Sequence, residues 1–295
     1  MKKVFVTIVA LLIALPMVSM AASTKAATKY PIVLSHGMAA QAEILGGLID
    51  YWGSIPSTMK KDGASVYITS VNAMDSTENK AAQWKAQVLQ ILAISGKGKI
   101  NLIGHSHGTI YSRYAITNLG MSSKVASHTS IAGPHRGSVI ADMIMGILPD
   151  WLERLGGPVL NLIFTIVMGD KNGDSVANGY ALVRSNMTDV FNPNTPDIPG
   201  IYYQSYAYKI TNALGAGALL ATWELMKPHE GDNDGLVSVT SAKWGNFRGV
   251  IDGGSWSWLG GVNHLGAIGL LSLPAGYDAE KHFVNIAADL KNRGF

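Results

Sequence analysis

The stretch "KINLIGHSHGTIYSRYA", residues 99–115, constrains the fold more than any other part of the chain. A short β-branched apolar run meets Gly104-His105-Ser106-His107-Gly108, and "TIYSRYAITNL" then has helical character. In a Gly-x-Ser-x-Gly turn a strand reverses sharply into a helix, so that the central hydroxyl projects from the sheet edge. The flanking positions need glycine because neighbouring backbone comes too close for a side chain. The pattern asks for a sheet whose strands end along one edge, with Ser106 as a candidate nucleophile.

Other segments supply such a sheet. "YPIVLS" (30–35), "SVYITSV" (65–71) and "VASHTSI" (125–131) read as further strands bounded by turn residues. Between the second strand and "KINLI", the run "TENKAAQWKAQVLQILAIS" predicts a helix. Ala82, Val88, Leu89, Ile91 and Leu92 fall near helical spacing, and Gly96 stops it. This alternation predicts an α/β architecture, a mostly parallel central sheet with helices on both faces. The pattern changes at about 138–199, a stretch rich in Met, Ile and Leu and broken by Pro149, Gly156, Gly157 and Pro158. It reads as a helical insertion. Its apolar run "PVLNLIFTIVM" is too short to span a bilayer, and reads as a buried helix or one that covers an apolar pocket and moves aside. "ALGAGALLA" (213–221) fits close packing.

The chain opens on Lys2 and Lys3, the apolar "VFVTIVALLIALPMV" and the small-residue site Ser19-Met20-Ala21. Residues 1–21 are therefore predicted to be a signal peptide, and 22–295 a single exported domain. The whole chain carries 23 basic and 20 acidic side chains, and removal of residues 1–21 takes two lysines and no acid. So balanced a charge says little about nucleic-acid or acidic partners, and no nucleic-acid partner is expected. The 47% of hydrophobic residues can build a sizeable core. The absence of cysteine excludes thiol catalysis, disulfides and cysteine metal sites.

A serine hydroxyl attacks at neutral pH only when a base takes its proton and an acid orients that base. Behind a strand-to-helix turn of this kind the chain order is serine, acid, histidine. His36, His105, His107, His128 and His135 lie before or close to Ser106, His229 precedes Asp234, and His282 sits in a helical C-terminal stretch. His264 in "GVNHLGAIG" remains. For the acid, Asp234 in "GDNDGLVSV" competes with Asp232 and Asp252. Negative charge on a tetrahedral intermediate needs fixed N–H donors. His107, directly after the serine, and Met38, at the end of "VLSHGM", are the candidates, with Gly37 allowing close approach.

"YPIVLSHGM", "INLIGHSHG", "SIAGPHRGS", "NDGLV" and "NHL" occur together and in this order. The set resembles the bacterial true lipases, or triacylglycerol lipases, of the Pseudomonas, Burkholderia and Proteus type, from about residue 29 to the C-terminus and least in the insertion. The resemblance implies an α/β-hydrolase fold with Ser106, Asp234 and His264 as catalytic triad. It implies an oxyanion hole at Met38 and His107, and a mobile helical lid at about 138–199. It selects Asp234 over its rivals, because the acid of these lipases directly precedes a Gly-Leu-Val-like segment. The implied activity is that of a secreted ester hydrolase acting on lipid at an interface through an acyl-serine intermediate. Some relatives need a dedicated folding chaperone as partner. A short-chain carboxylesterase or a phospholipase would carry the same triad, and the intact set argues against a non-catalytic lipid-binding protein.

One departure concerns metal. The structural calcium site of these lipases maps here onto Gly215, Gly266 and Leu270, none of which offers a side-chain oxygen to an ion that wants six to eight oxygen ligands. No metal and no cofactor are expected. The His264 loop is then expected to be ordered by inward packing of Leu265, Ile268, Leu270 and Leu271. "DKNGD" (170–174) begins like a calcium loop but has Ser175 and Ala181 where glycine and glutamate belong, and reads as a turn.

Overall fold

The computed structural model describes residues 23–38, 50–72, 74–146, 175–270 and 276–295. The predicted signal peptide, residues 1–21, lies outside them, as do Leu271 and the middle of the insertion with "PVLNLIFTIVM" and "DKNGD".

Six parallel strands form one sheet: β1 (Ile32–Ser35), β2 (Val66–Thr69), β3 (Ile100–His105), β4 (Val125–Ile131), β5 (Tyr202–Tyr208) and β6 (Asn246–Ile251). Their spatial order is β2-β1-β3-β4-β5-β6. The four strands expected from the sequence are the first four. Around them lie α1 (Ile55–Lys61), α2 (Thr77–Ser95), α3 (Gly108–Asn118), α4 (Val139–Ile144), α5 (Ser175–Ala181), α6 (Leu220–Glu230) and α7 (Ala279–Asn292). Among the described residues no helix is long and apolar enough to cross a membrane.

Side chains alternate across a strand, and β1 shows what that does. Ile32 and Leu34 join one core with Trp52, Ile55 and Met59 beside α1 and Phe283, Ile286 and Leu290 of α7. Val33 joins the opposite core with Trp84, Val88, Ile91 and Leu92 of α2 and Tyr111, Ala115 and Ile116 of α3. Each fully buried aliphatic or aromatic side chain of this kind contributes about 1.5–3 kcal/mol. In α7 the positions 283, 286, 287 and 290 form one buried stripe, and Asp278 caps the helix by accepting from the Lys281 N–H. In α2, Ser76 caps the start and Gly96 ends the helix at φ 64°, as expected. The buried face of α2 differs from the expected one. Ala81 and Trp84 point inward, whereas Ala82 is exposed and Leu89 is 42% exposed. Trp84 reaches the sheet and donates its indole N–H to Ser35 Oγ, which sets the rotation of the helix.

The described ends of the insertion are fastened to each other. Ser138 caps α4, its backbone N–H donates to the Leu182 carbonyl, and the Arg184 N–H donates to Asp142 Oδ1 at 2.8 Å. The Arg184 guanidinium also pairs with Asp142 Oδ2. Glu230, at the end of α6, accepts from the Val139 N–H, and burial raises its carboxyl to about 7.

Candidate active site

Ser106 follows β3 directly and has φ 56°, a left-handed conformation that a side-chain-bearing residue adopts at a cost on the order of 1–3 kcal/mol. Backbone contacts hold it there. Its N–H donates to the Ile131 carbonyl of β4, and its carbonyl accepts from the Thr109 N–H and hydroxyl at the start of α3. The flanking glycines are needed sterically. A Cβ on Gly108 would lie 2.2 Å from the Ser35 carbonyl oxygen, and one on Gly104 would lie 3.0 Å from Gly108 C and Thr109 N. A Cβ on Gly37 would sit 2.7 Å from the Ser106 Cβ, so the chain leaving β1 passes against the serine. Met38 follows at once, half-buried against two apolar clusters, one with Val139, Ile140 and Met143 of α4 and one with Ile110, Leu182 and Met187.

Asp234 and His264 come together from the loops after β5 and β6. His264 Nδ1 donates to Asp234 Oδ2 at 2.8 Å, and the His264 backbone N–H donates to the Asp234 carbonyl at 2.8 Å. Asp234 is 1% exposed and His264 3%. The second carboxylate oxygen, Oδ1, accepts from the Leu236 and Val237 N–H groups, so the side chain has one orientation. Nδ1 is thereby the protonated ring nitrogen and Nε2 is left as an acceptor. The rival acids lie elsewhere. Asp232 is 67% exposed and pairs with Lys209, and Asp252 turns its carboxylate to Gly254 N–H and toward Lys209.

Three further side chains hold these parts together: His105, which the sequence analysis set aside as the base, and Tyr51 and Lys80, to which it gave no role. Tyr51 Oη accepts from the Gly37 N–H and donates to His105 Nδ1 at 2.6 Å. His105 Nε2 then donates to the His264 carbonyl at 3.1 Å, with the two rings 4.7 Å apart. One chain of hydrogen bonds thus links the Gly37 loop, the residue before Ser106 and the histidine. His105 is fully buried, and burial with the neighbouring His264 holds its pKa well below the ordinary value. His105 is a neutral connector with both nitrogens engaged. Lys80 from α2 lies buried beside His107, the residue directly after the serine. No pattern in the sequence marks a tyrosine or a lysine for such places, since their partners are distant in the chain.

The residues at the mapped calcium positions do not fit calcium. A Cβ on Gly215 would lie 1.8 Å from the Gly260 carbonyl oxygen, so the backbone itself fills the space of a ligating side chain. The loop before His264 is tied instead by direct bonds. Thr211 N–H donates to Gly260 O, Val262 N–H to Lys209 O, and Asn263 spans the gap by donating to Gly215 O and accepting from Gly266 N–H. Ile268 is buried and Leu270 packs against the same core, as expected for two of the four named apolar residues. Among the described residues there is no cluster of three or more His, Cys, Asp or Glu able to hold a metal.

Sheet order and helix layers define the class of protein, an α/β-hydrolase. The fold is shared with a Bacillus licheniformis lipase in its mature form (TM-score 0.64, 20% identity, covering 88% of this chain and 92% of that one). A metagenomic carboxyl esterase also shares it (TM-score 0.64, 18% identity, 90% and 76%). The family model for palmitoyl protein thioesterase matches residues 31–167. A triacylglycerol lipase of Pseudarthrobacter phenanthrenivorans is 30% identical over 88% of this chain and 94% of its own length. One of Burkholderia plantarii is 30% identical over 89% and 85%. One of Vibrio cholerae is 44% identical over a shorter stretch, 41% of this chain and 38% of its own length. The chain belongs to the triacylglycerol lipase family and is a carboxylic ester hydrolase.

Proposed function

We propose that the protein is a secreted triacylglycerol lipase that works through an acyl-serine intermediate, without a metal or cofactor. The buried Asp234–His264 pair, held against His105, the residue directly before the strained Ser106, carries this reading. His264 Nε2 takes the Ser106 proton as Oγ attacks the ester carbonyl. Met38 and His107 N–H groups stabilise the oxyanion, a contribution worth about a hundred- to thousandfold per donor. His264 then protonates the leaving alcohol, and water releases the acid by the same steps in reverse. Asp234 holds the imidazole tautomer and stabilises its cation.

The lipid preference rests on the apolar side chains packed around Met38, which are buried in this conformation. Met74, Val139, Met143, Met187 and Met226 lie in the two clusters that Met38 touches, and thioether chains adapt to a flexible acyl chain. The insertion from about 138 to 199, which itself contributes Val139, Met143 and Met187, acts as the lid, and the partner is a lipid–water interface. Residues 1–21 direct export and are removed. The test is hydrolysis of p-nitrophenyl esters from acetate to palmitate by the protein and by Ser106→Ala, in excess chelator. Rates that rise toward palmitate, survive chelation and vanish in Ser106→Ala are expected. Activity confined to short chains would make the protein a carboxylesterase, and reversible loss on chelation would refute the metal-free reading.

A further inference from the structure

Lys80 is 1% exposed, a rare state for a lysine. It sits in the first turn of α2, where the helix dipole disfavours a cation. Burial depresses its ammonium to about 7, opposed by Asp75. A methionine would pack there without these costs. Lys80 Nζ donates to His107 Nδ1 at 3.1 Å and to Asn178 Oδ1 at 2.6 Å. With Nδ1 accepting, the His107 ring carries its proton on Nε2, which donates to Thr77 Oγ1 at 2.9 Å. Both ring nitrogens are therefore committed to the first turn of α2. Burial, with Lys80 and His36 nearby, keeps the ring neutral by holding its pKa well below the ordinary value.

His107 is the residue whose backbone N–H faces the developing oxyanion in the reading above. We propose that Lys80 is a positioning residue for the oxyanion turn. Its Nζ anchors the His107 ring from behind and, through Asn178 of α5, ties the insertion to the same turn. This inference rests on the proposed role of His107. It adds a device in which α2, the nucleophile turn and the insertion share one amine. Moving α5 would remove one of the amine's acceptors.

Lys80→Met in the mature protein tests this, with kcat and KM on p-nitrophenyl butyrate and the inhibition constant of an alkyl trifluoromethyl ketone. The hemiketal of that ketone places an oxyanion in the hole. A looser donor lowers kcat about ten- to hundredfold, less than deletion of a donor outright, and weakens the ketone in parallel with KM unchanged. A purely structural role would lower the melting temperature with kcat and ketone affinity retained, and would overturn the proposal. Thr77→Val serves if Lys80→Met does not fold. It frees His107 Nε2 while leaving the lysine, and a smaller parallel loss of kcat and ketone affinity is expected, whereas unchanged values would overturn the proposal. Labelling by an alkyl phosphonate separates the two levels of argument. If Ser106 in the unsubstituted protein is not labelled, the parent reading falls and this one with it. If it is labelled and Lys80→Met turns over normally, only the role of Lys80 falls.

Discussion

At the nucleophile turn the decisive contacts join backbone to backbone, whereas at the acid–base loops the side-chain bonds of Asp234 and Asn263 are added to backbone bonds. Gly108 lies against the Ser35 and His36 carbonyls with no room for a Cβ, and Ser106 is held at φ 56° between β3 and α3. Asp234 and Asn263 instead bridge segments by hydrogen bonds of 2.7–3.0 Å that a substitution removes one at a time. Backbone packing tolerates no partial answer, because neither partner can change rotamer. Side-chain bridges fail by degrees.

This contrast orders the expected effects. Gly108→Ala is the largest: its Cβ would be 2.2 Å from a carbonyl oxygen that belongs to β1, so little or no folded protein is expected. Recovery of a normally melting Gly108→Ala protein would break the comparison. Asp234→Asn keeps the volume and an oxygen for the Leu236 and Val237 N–H groups, yet loses the charge that holds the His264 tautomer. A fall of about 10⁴ in kcat with little change in melting is expected, and steady-state kinetics beside calorimetry would show it.

Asn263→Ala is expected to be milder. It removes two bonds that tie the His264 loop, at about 1–3 kcal/mol of stability, and lowers kcat a few-fold. Wild-type melting and turnover would show that the neighbouring backbone bonds suffice alone. The smallest effect concerns pH. Burial raises Glu230 from 4.5 to about 7, so the folded state holds a proton that the unfolded chain releases. Stability contributed by that proton is present below about pH 4.5 and is lost as pH rises through 7. Glu230→Gln should flatten that slope and melt higher than the parent at pH 8, by an amount on the order of 1–2 kcal/mol. Parallel melting curves for the two proteins from pH 5 to 8 would remove Glu230 from the account.

Much of the turn was legible beforehand, since β-branched runs, paired glycines and a serine at fixed spacing are local features. β5 and β6 were not picked out. "YYQSYAY" mixes polar and aromatic residues because Gln204 and Ser205 find buried partners at Thr129 and the Trp244 carbonyl. "NFRGVI" lies at the sheet edge, where alternate residues are exposed. The face of α2 was misplaced by one position at Ala82, because the Trp84–Ser35 bond and the buried Lys80 set the helix rotation.

By itself, the sequence determined the strand-to-helix turn at Ser106, the first four strands and the chain order that singled out His264. These depend on backbone sterics and spacing over a few residues. Spacing alone left Asp232, Asp234 and Asp252 open. The family resemblance selected Asp234, and only the tertiary structure showed its contact with His264, that Tyr51 and His105 join the Gly37 loop to that histidine, and that Lys80 lies behind His107. Each of these depends on burial and on a hydrogen-bond partner distant in the chain. That proximity exists only once the sheet has brought its strand ends to one edge.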